Sequence, residues 1–441
     1  MRSFAIKVYG CQMNVYDADR IRTAMISKGW EETLDDVASL VIMVTCSIRE
    51  KAEQKVLSEI GRIGSRSSGG QPVIAVVGCM AQRMGVSLLD RFPAVRLVCG
   101  PRNLGRLLQG IDKIMDSKES LSLLDGDPVS MNDLGVYPLL RENPWKAYIT
   151  IAHGCDNFCT YCIVPHVRGR FMSRDPEDIF REVQELISSG VKEIILIGQN
   201  VNTYGQDLEK GYYFSSLLDD VASMKGVGRI RFCTSHPRDL TEDVVRVMSR
   251  RSSICTGINL PIQSGSDRIL RKMNRGYTVE KYASILKMIR DNLPEPSVTS
   301  DLIVGFPGES EEDFMDSVRA VEKFRFDLVH TAAYSPRGGT PAARMEGQIP
   351  FAEKKRRLAE INRVQESIST TINDALVGRE FDVLVDGFAP RGESMLQGRA
   401  SSDKVVIFPG DASILGSFQR VRITGSGHWS LRGEITPEGS K

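Results

Sequence analysis

No stretch of this 441-residue sequence stays apolar for the roughly 18 residues that a membrane-spanning helix needs. The opening residues, MRSFAIKVYGCQMN, lack both the apolar core and the small-residue cleavage site of a signal peptide. A chain that remains in the reducing cytoplasm is therefore expected. Charge of one sign is also missing: 57 Lys and Arg face 56 Asp and Glu, a net of +1. No global field draws the chain to nucleic acid or to a membrane, so any RNA binding must come from local patches. Tandem repeats and low-complexity tracts are absent. The nine cysteines are an odd number and cannot all pair. In a reducing compartment, clustered thiols serve metals or catalysis more often than disulfides.

What is present is a soluble, globular composition, 41% apolar and 26% charged, in a chain long enough for two or three domains of about 150 residues. Short β-branched runs alternate with amphipathic helical stretches. FAIKVYG (4–10), LVIMVT (40–45), PVIAVVG (72–78) and VRLVCG (95–100) each precede a helical pattern, near 17–28, 49–63, 82–91 and 103–115. Such continuous apolar strands predict a doubly wound parallel sheet covered on both faces, over 1–120. A polar stretch at 121–140 reads as a linker. The rhythm resumes over 141–372 with strands at 147–152, 193–198, 229–234, 256–263, 298–305 and 327–334, predicting a partial (β/α)6 barrel closed by a helix over 351–375. From 373 to 441, short strands (EFDVLVDGF, MLQGRA, DKVVIF, QRVRITG) joined by Gly, Pro and Asp turns predict a small all-β barrel.

Two sets of cysteines carry chemistry. Cys155, Cys159 and Cys162, spaced Cys-x3-Cys-x2-Cys, follow the first strand of the central barrel. Chemistry in β/α barrels sits at such strand ends. Three thiolates are too few for a closed tetrahedral zinc site, whereas they suit an iron–sulfur cubane with one open iron. A zinc loop completed by His153 or His166 is the alternative. Cys11, Cys46 and Cys79 are far apart, yet each ends a strand of the first domain, in VYGC, VTC and VVGC. Parallel strands bring these ends to one sheet edge, where a second metal–sulfur site can form. The competing reading is three buried core thiols. Cys99 also ends a strand and is a further candidate ligand; Cys233 and Cys255 read as core.

The Cys155/Cys159/Cys162 loop, with Tyr161 before the third cysteine, resembles the radical S-adenosylmethionine (SAM) superfamily. GCQMNVYD, TCSIREKAEQKV and GCDNFCTYCIVPHVRGR, over nearly the whole chain, resemble the methylthiotransferases. That family joins a three-cysteine domain, a radical SAM barrel and a TRAM barrel. The resemblance implies two [4Fe-4S] clusters and SAM, used both as methyl donor and as source of a 5′-deoxyadenosyl radical. It implies methylthiolation of carbon 2 of an isopentenylated adenosine beside the anticodon of tRNA. Both clusters would then face one cavity with the base between them. Sister branches act on threonylcarbamoyl-adenosine or on a ribosomal-protein aspartate. A reductant such as flavodoxin or ferredoxin and a monomeric state follow from the same likeness. A metal-stabilised RNA-binding protein without catalysis is the rival of another class. One departure stands out: the family has Asn where this chain has Val44 before Thr45-Cys46, which removes a polar neighbour of the Cys11/Cys46/Cys79 cluster.

In the superfamily pattern, Gln199, Asn200, Gln263 and Gly305, in GQN, QSGS and GFPGE, would contact SAM, with Tyr161 nearby. Arg168, Arg170, Arg174 and Arg275, and KKRR (354–357), are candidate phosphate contacts; His236 is a candidate substrate contact or a strand cap. Residues 372–441 carry eight Lys and Arg against nine Asp and Glu, so an RNA role for the last domain rests on the resemblance to TRAM, supported by a local stripe of Arg399, Arg420 and Arg422; a purely structural cap is the alternative.

Overall fold

In this computed structural model the described residues are 2–47, 50–65, 72–117, 119–124, 134–208, 211–390 and 395–436. They form two compact units: Met1–Phe158 with Cys162–Ser189 and Ile197–Gln199, and Cys159–Tyr161 with Gly190–Leu196 and Asn200–Lys441.

In the first unit, six described strands form one sheet in the order Glu31–Glu32, Ser3–Val8, Leu40–Thr45, Val73–Gly78, Val95–Cys99, Leu121–Leu123, all parallel. Every residue of Leu40–Thr45 is buried, as a strand covered on both faces must be. Alternate residues face opposite sides. Leu40, Ile42, Val44, Ala75 and Val77 pack with Ile21 and Met25 of helix Gln12–Ser27 and with Leu107 and Ile111 of helix Leu107–Asp116. Val41, Met43, Ile74 and Val76 pack with Val56 and Ile60 of helix Glu50–Gly64 and with Met80 and Leu88. The doubly wound expectation is met.

Three details differ from expectation. Glu31–Glu32 adds an outer strand that its two exposed acidic residues did not advertise. Leu121–Leu123, inside the expected linker, pairs with Val95–Cys99 because Leu123 buries its side chain in the core; residues 125–133 of that stretch lie outside the described residues. The helix after Cys11 starts at Gln12, well before 17.

The first unit also holds strand Lys146–Thr150, helix Val164–Arg168, an antiparallel pair of Ala152–His153 with Met172–Ser173, and helix Pro176–Ser188. Asp175 caps this last helix by accepting from the backbone N–H of Glu177 at 2.9 Å.

In the second unit, Glu193–Ile197 pairs in parallel with Arg229–Phe232 from Glu193 to Leu196, and Gly257–Asn259, Ser297–Val304 and Leu328–Ala333 form a parallel sheet. Helices Phe214–Ser223, Glu242–Arg250, Val279–Asn292 and Glu311–Phe324 alternate with these strands. Ser310 and Asp313 build a capping box at the start of Glu311–Phe324. Helix Phe351–Asp374 leads to a closed barrel of Glu380–Phe388, Met395–Ala400, Val405–Pro409, Leu431–Ile435 and Phe418–Ser426. Its fifth strand, LRGEI, was not anticipated. The barrel is fastened by arginines of Arg229–Phe232: Arg229 donates to the carbonyls of Arg399 (2.7 Å) and Asp382 (3.0 Å), and Arg231 to that of Ala400 (2.6 Å). Among the described residues no helix is long and apolar enough to cross a membrane.

Candidate metal centres

The outer strand Glu31–Glu32 reverses the strand order on either side of the gap between Ser3–Val8 and Leu40–Thr45. In open α/β sheets that reversal opens the ligand-binding crevice at the carboxyl ends of the strands. Cys11 and Cys46 follow the two strands that flank it, and Cys79 follows the next. Two glycines let these ends close up. A Cβ on Gly10 (φ +132°) would stand 2.3 Å from Cβ of Cys46, and one on Gly78 (φ +101°) would meet the Thr45 carbonyl at 2.6 Å.

The Cys11 thiol is pulled down to about 5, first by its hydrogen bond with Cys46, against the upward push of burial; the Arg168 charge and the backbone of Asn14 and Met13 help. Burial pushes Cys79 up, while Arg168 opposes it by donating from Nε to Sγ at 3.2 Å. Val44, the departure from the family pattern, is fully buried in the apolar face of the sheet. The buried Cys99 thiol donates to the carbonyls of Gly100 (3.5 Å) and Asn103 (3.4 Å), and burial pushes it up to about 12. Burial likewise raises Cys233 to about 12 and Cys255 to about 11; Cys255 is a core thiol, whereas Cys233 is only partly buried.

The second triad is anchored by backbone on each side. Cys155 N–H donates to the Gly169 carbonyl at 3.3 Å, and Gly154 (φ +71°) leaves no room for a side chain, since a Cβ would fall 1.9 Å from the Arg170 carbonyl. Ile163, next to Cys162, packs with Cys79 and Val167. In the second unit, Thr160 N–H donates to the Met273 carbonyl at 3.0 Å, and the Thr160 carbonyl accepts from Ala342 at 2.9 Å. Arg275, buried, donates to Sγ of Cys159 and to Oη of Tyr161, both at 3.4 Å.

Several expected RNA contacts prove to be internal. Arg168, Arg174 and Arg275 are 4%, 4% and 5% exposed, and no phosphate in solvent reaches them. Arg168 is held among Cys79 and Asp17. Arg174 pairs with Asp178 (2.6 Å) and Glu182 and donates to the Tyr16 hydroxyl. In KKRR, Lys354 donates to the Tyr334 carbonyl and Arg357 pairs with the buried Glu309, both inside the fold, while Arg356 is satisfied by Glu353, Glu360 and Glu311. Arg170 is exposed, beside Asp156 at 2.9 Å and over the Phe158 ring. Arg399 is half-exposed and pairs with Asp403, and Arg420 and Arg422 both lean on Glu380.

Of the expected SAM contacts, Gln199 donates to the Met13 sulfur, while its Oε1 is buried without a partner. Asn200 donates to Asp239 at 2.7 Å and caps the turn Val201–Thr203. Gln263 takes a left-handed backbone (φ +67°) that bridges Leu302. The Gly305 N–H donates to Glu309 at 2.6 Å, and Lys354 lies against its Cα face. His236 is buried past the end of Arg229–Phe232; its Nδ1 accepts from the Arg238 N–H at 3.2 Å, and its Nε2 is unpartnered. Asp17, whose carboxylate lies with Arg168, was missed by the sequence reading.

Among the described residues, no three His, Cys, Asp or Glu side chains gather closely enough to share one ion. Donors to a single zinc all lie about 2 Å from one centre, whereas thiolates on a cubane bind different irons and stand farther apart. His166 is exposed, and burial, then Arg168, Arg20 and Arg174, hold the His153 imidazole neutral. In the first unit, Cys11, Cys46 and Cys79, with the Arg168 Nε–H on the Cys79 sulfur, are a donor set of the chemistry an iron–sulfur cluster takes.

Comparison with known proteins agrees. Residues 149–321 match the Radical SAM superfamily, 3–100 an uncharacterized protein family designated UPF0004, and 374–436 the TRAM domain. The tRNA-2-methylthio-N(6)-dimethylallyladenosine synthase of Moorella thermoacetica is 44% identical over 98% of both chains. That of Dictyoglomus thermophilum is 41% identical over 99% of both. A radical S-adenosylmethionine methyltransferase, TsrM, from Kitasatospora setae shares the fold with a TM-score of 0.56 at 15% identity, covering 78% of this chain and 75% of its own. With three family matches in sequence along it and full-length relatives above 40% identity, the chain belongs to the radical SAM methylthiotransferases, in the branch of the tRNA-2-methylthio-N(6)-dimethylallyladenosine synthases.

Proposed function

We propose that this enzyme converts isopentenyl-adenosine next to the anticodon of tRNA to its 2-methylthio derivative, in the cytoplasm, as a monomer reduced by a flavodoxin or ferredoxin. The observation that carries the reading is the placement of Cys11, Cys46 and Cys79 at the ends of three adjacent parallel strands at the switch point of the first sheet. A radical enzyme needs one cluster to cleave SAM; a second triad in a separate sheet is what sulfur insertion adds. When bound, the two [4Fe-4S] clusters and SAM supply the radical and the methylated sulfur.

The chain's own residues prepare for this. The Cys11 thiol is held below its ordinary value, chiefly by its hydrogen bond with Cys46, which favours metal binding. Arg275 fixes Cys159 and Tyr161 from one buried guanidinium. Tyr161, Gln199, Asn200, Gln263 and Gly305 stand as the SAM-facing residues of the reading. Arg170 and Arg399 remain as phosphate contacts because they are exposed. An anticodon-loop base is single-stranded, so extruding it costs little beyond about a few kcal/mol of unstacking.

The test is nucleoside analysis of tRNA from cells with and without the gene. Loss of the methylthio group from isopentenyl-adenosine supports the reading; retention of that nucleoside with loss of methylthio-aspartate or of methylthio-threonylcarbamoyl-adenosine would reassign the substrate.

A further inference from the structure

In the second unit, Nδ2 of Asn202, Oγ of Ser235 and Nε2 of His236 are buried and have no hydrogen-bond partner among the described residues. Their side chains belong to residues only 8%, 4% and 5% exposed. Asn202 lies in the turn Val201–Thr203 after strand Glu193–Ile197, and Ser235 and His236 follow the neighbouring parallel strand Arg229–Phe232. All three thus stand at the strand ends where β/α barrels do chemistry. The backbone N–H of His236 donates to Oδ1 of Asn202 at 3.0 Å, which leaves the amide Nδ2 over. Nδ1 of His236 accepts from the Arg238 N–H at 3.2 Å, so the neutral imidazole carries its proton on Nε2. Burial, then the charges of Arg275 and Arg238, keep that ring neutral. Asp239, 3.6 Å from Nδ1, is already engaged by Asn200 at 2.7 Å and Arg238 at 2.8 Å. Nε2 and Nδ2 are therefore two donors without an acceptor. A chain of contacts ties them to Cys159: the His236 ring stands edge-on to Tyr277 with centroids 5.7 Å apart, Tyr277 Oη accepts from Arg275 at 3.0 Å, and Arg275 donates to the Cys159 sulfur. Buried donors are nearly always paired, so a pair left over beside a reactive centre calls for a ligand that brings the acceptor.

We infer that His236 and Asn202 recognise the adenine to be modified, donating to a ring nitrogen that flanks its carbon 2. The inference rests on the function proposed above and deepens it by naming the groups that read the base. The chemistry selects the acceptor. Oδ1 of Asn202 is spent, so the partner must accept rather than donate. A carboxylate would call for a cation, and the guanidinium at hand, Arg275, is engaged by Cys159, Tyr161, Tyr277 and the Pro261 carbonyl. A neutral ring nitrogen suits a neutral imidazole and an amide. Among the RNA bases, adenine alone carries a C–H between two acceptor nitrogens. Guanine presents N1–H and an amino group at that edge, donors set against donors, which a buried site rejects. Holding a nitrogen bonded to carbon 2 also fixes where carbon 2 lies.

The test uses the full chain reconstituted without oxygen and an anticodon stem-loop RNA carrying isopentenyl-adenosine, beside its 1-deaza and 3-deaza analogues, in which N1 or N3 is replaced by C–H. On the analogue that lacks the contacted nitrogen, the parent should lose about tenfold or more in kcat/KM, the worth of a buried hydrogen bond. His236→Phe has no N–H at this place; its kcat/KM on the natural RNA should fall by a similar factor, and the penalty for that analogue should largely vanish. His236→Gln returns an N–H and should bring the penalty back. If His236→Phe holds no iron, Asn202→Asp replaces it, keeping the acceptor for the His236 N–H while losing the donor, with the same expectation. Equal rates of the parent on the natural RNA and both analogues would overturn the inference whatever the variants do. A penalty undiminished in the variants would overturn it too, as would a tenfold loss of SAM affinity in His236→Phe at constant discrimination, which hands the donors to SAM. A parent that carries its irons and leaves the natural stem-loop unmodified would instead defeat the proposed function itself.

Discussion

Arg275 donates from Nη1 to Sγ of Cys159 at 3.4 Å, and the same guanidinium reaches Tyr161, Tyr277 and the Pro261 carbonyl. A buried cation on a cluster thiolate stabilises the more negative, reduced state of that cluster. Arg275→Gln is therefore expected to lower the midpoint potential of the cluster held by Cys155, Cys159 and Cys162 and slow SAM cleavage, while tRNA affinity stays nearly unchanged. A redox titration followed by magnetic resonance, beside a tRNA-binding isotherm, reads both. A large fall in tRNA affinity at constant potential would return Arg275 to the phosphate-contact role.

Gly10 bears on the other centre. A methyl group there would overlap Cβ of Cys46, in a backbone region that other residues rarely adopt. Gly10→Ala should remove about four irons, the content of one cubane, and leave SAM cleavage by the barrel intact. Iron and sulfide analysis checks this; a full iron complement would show that the strand end can move.

Arg170 is the exposed arginine of its loop, 76% accessible and 2.9 Å from Asp156. Arg170→Ala should weaken tRNA binding by about 1 kcal/mol and reduce the slope of log affinity against log salt by about one. Affinities at several salt concentrations measure it, and an unchanged slope would make Arg170 a surface cation only.

His236 is buried with its ring against Tyr277, and burial, then Arg275 and Arg238, pushes it down to about 2. Its folded value lies below the unfolded one of about 6.5, so its contribution is present above pH 6.5 and is lost as pH falls. The loss is about 1.4 kcal/mol per pH unit. Urea unfolding at pH 7 and pH 5 should show a decline about 2 kcal/mol smaller in His236→Asn. Parallel declines in the two proteins would show that His236 titrates freely in the fold.

Arg231 ties the C-terminal barrel to its neighbouring strand while pairing with Glu193 at 3.1 Å, both buried. Arg231→Ala strands that carboxylate and frees the Ala400 carbonyl, a cost of about 3–5 kcal/mol. Limited proteolysis should then release a fragment beginning near residue 375, and resistance equal to the parent's would contradict the docking role.

The strands were legible wherever burial on two faces made them continuous apolar runs, as in LVIMVT and VIAVVG, and the cysteines stood out because they ended those runs. Glu31–Glu32 was not legible: two exposed glutamates have no apolar signature, yet they create the strand reversal that sets Cys11 and Cys46 at a crevice. The barrel strand Leu431–Ile435 hid behind alternating Arg, Gly and Glu. The arginines misled for a different reason. A cation's partner decides whether it is surface or core, and Arg168 finds its partners at Cys79 and Asp17, far away along the chain. Local pattern carries no record of such pairs.

Iron counting by chemical analysis and Mössbauer spectroscopy tests the central claim most directly, in the reconstituted parent and in two triple variants, Cys11/Cys46/Cys79→Ala and Cys155/Cys159/Cys162→Ala. The account predicts about eight irons in the parent and about four in each variant, all in cubanes, with SAM cleavage surviving only in the first. Zinc in place of iron, or a variant that keeps the full eight, would contradict it.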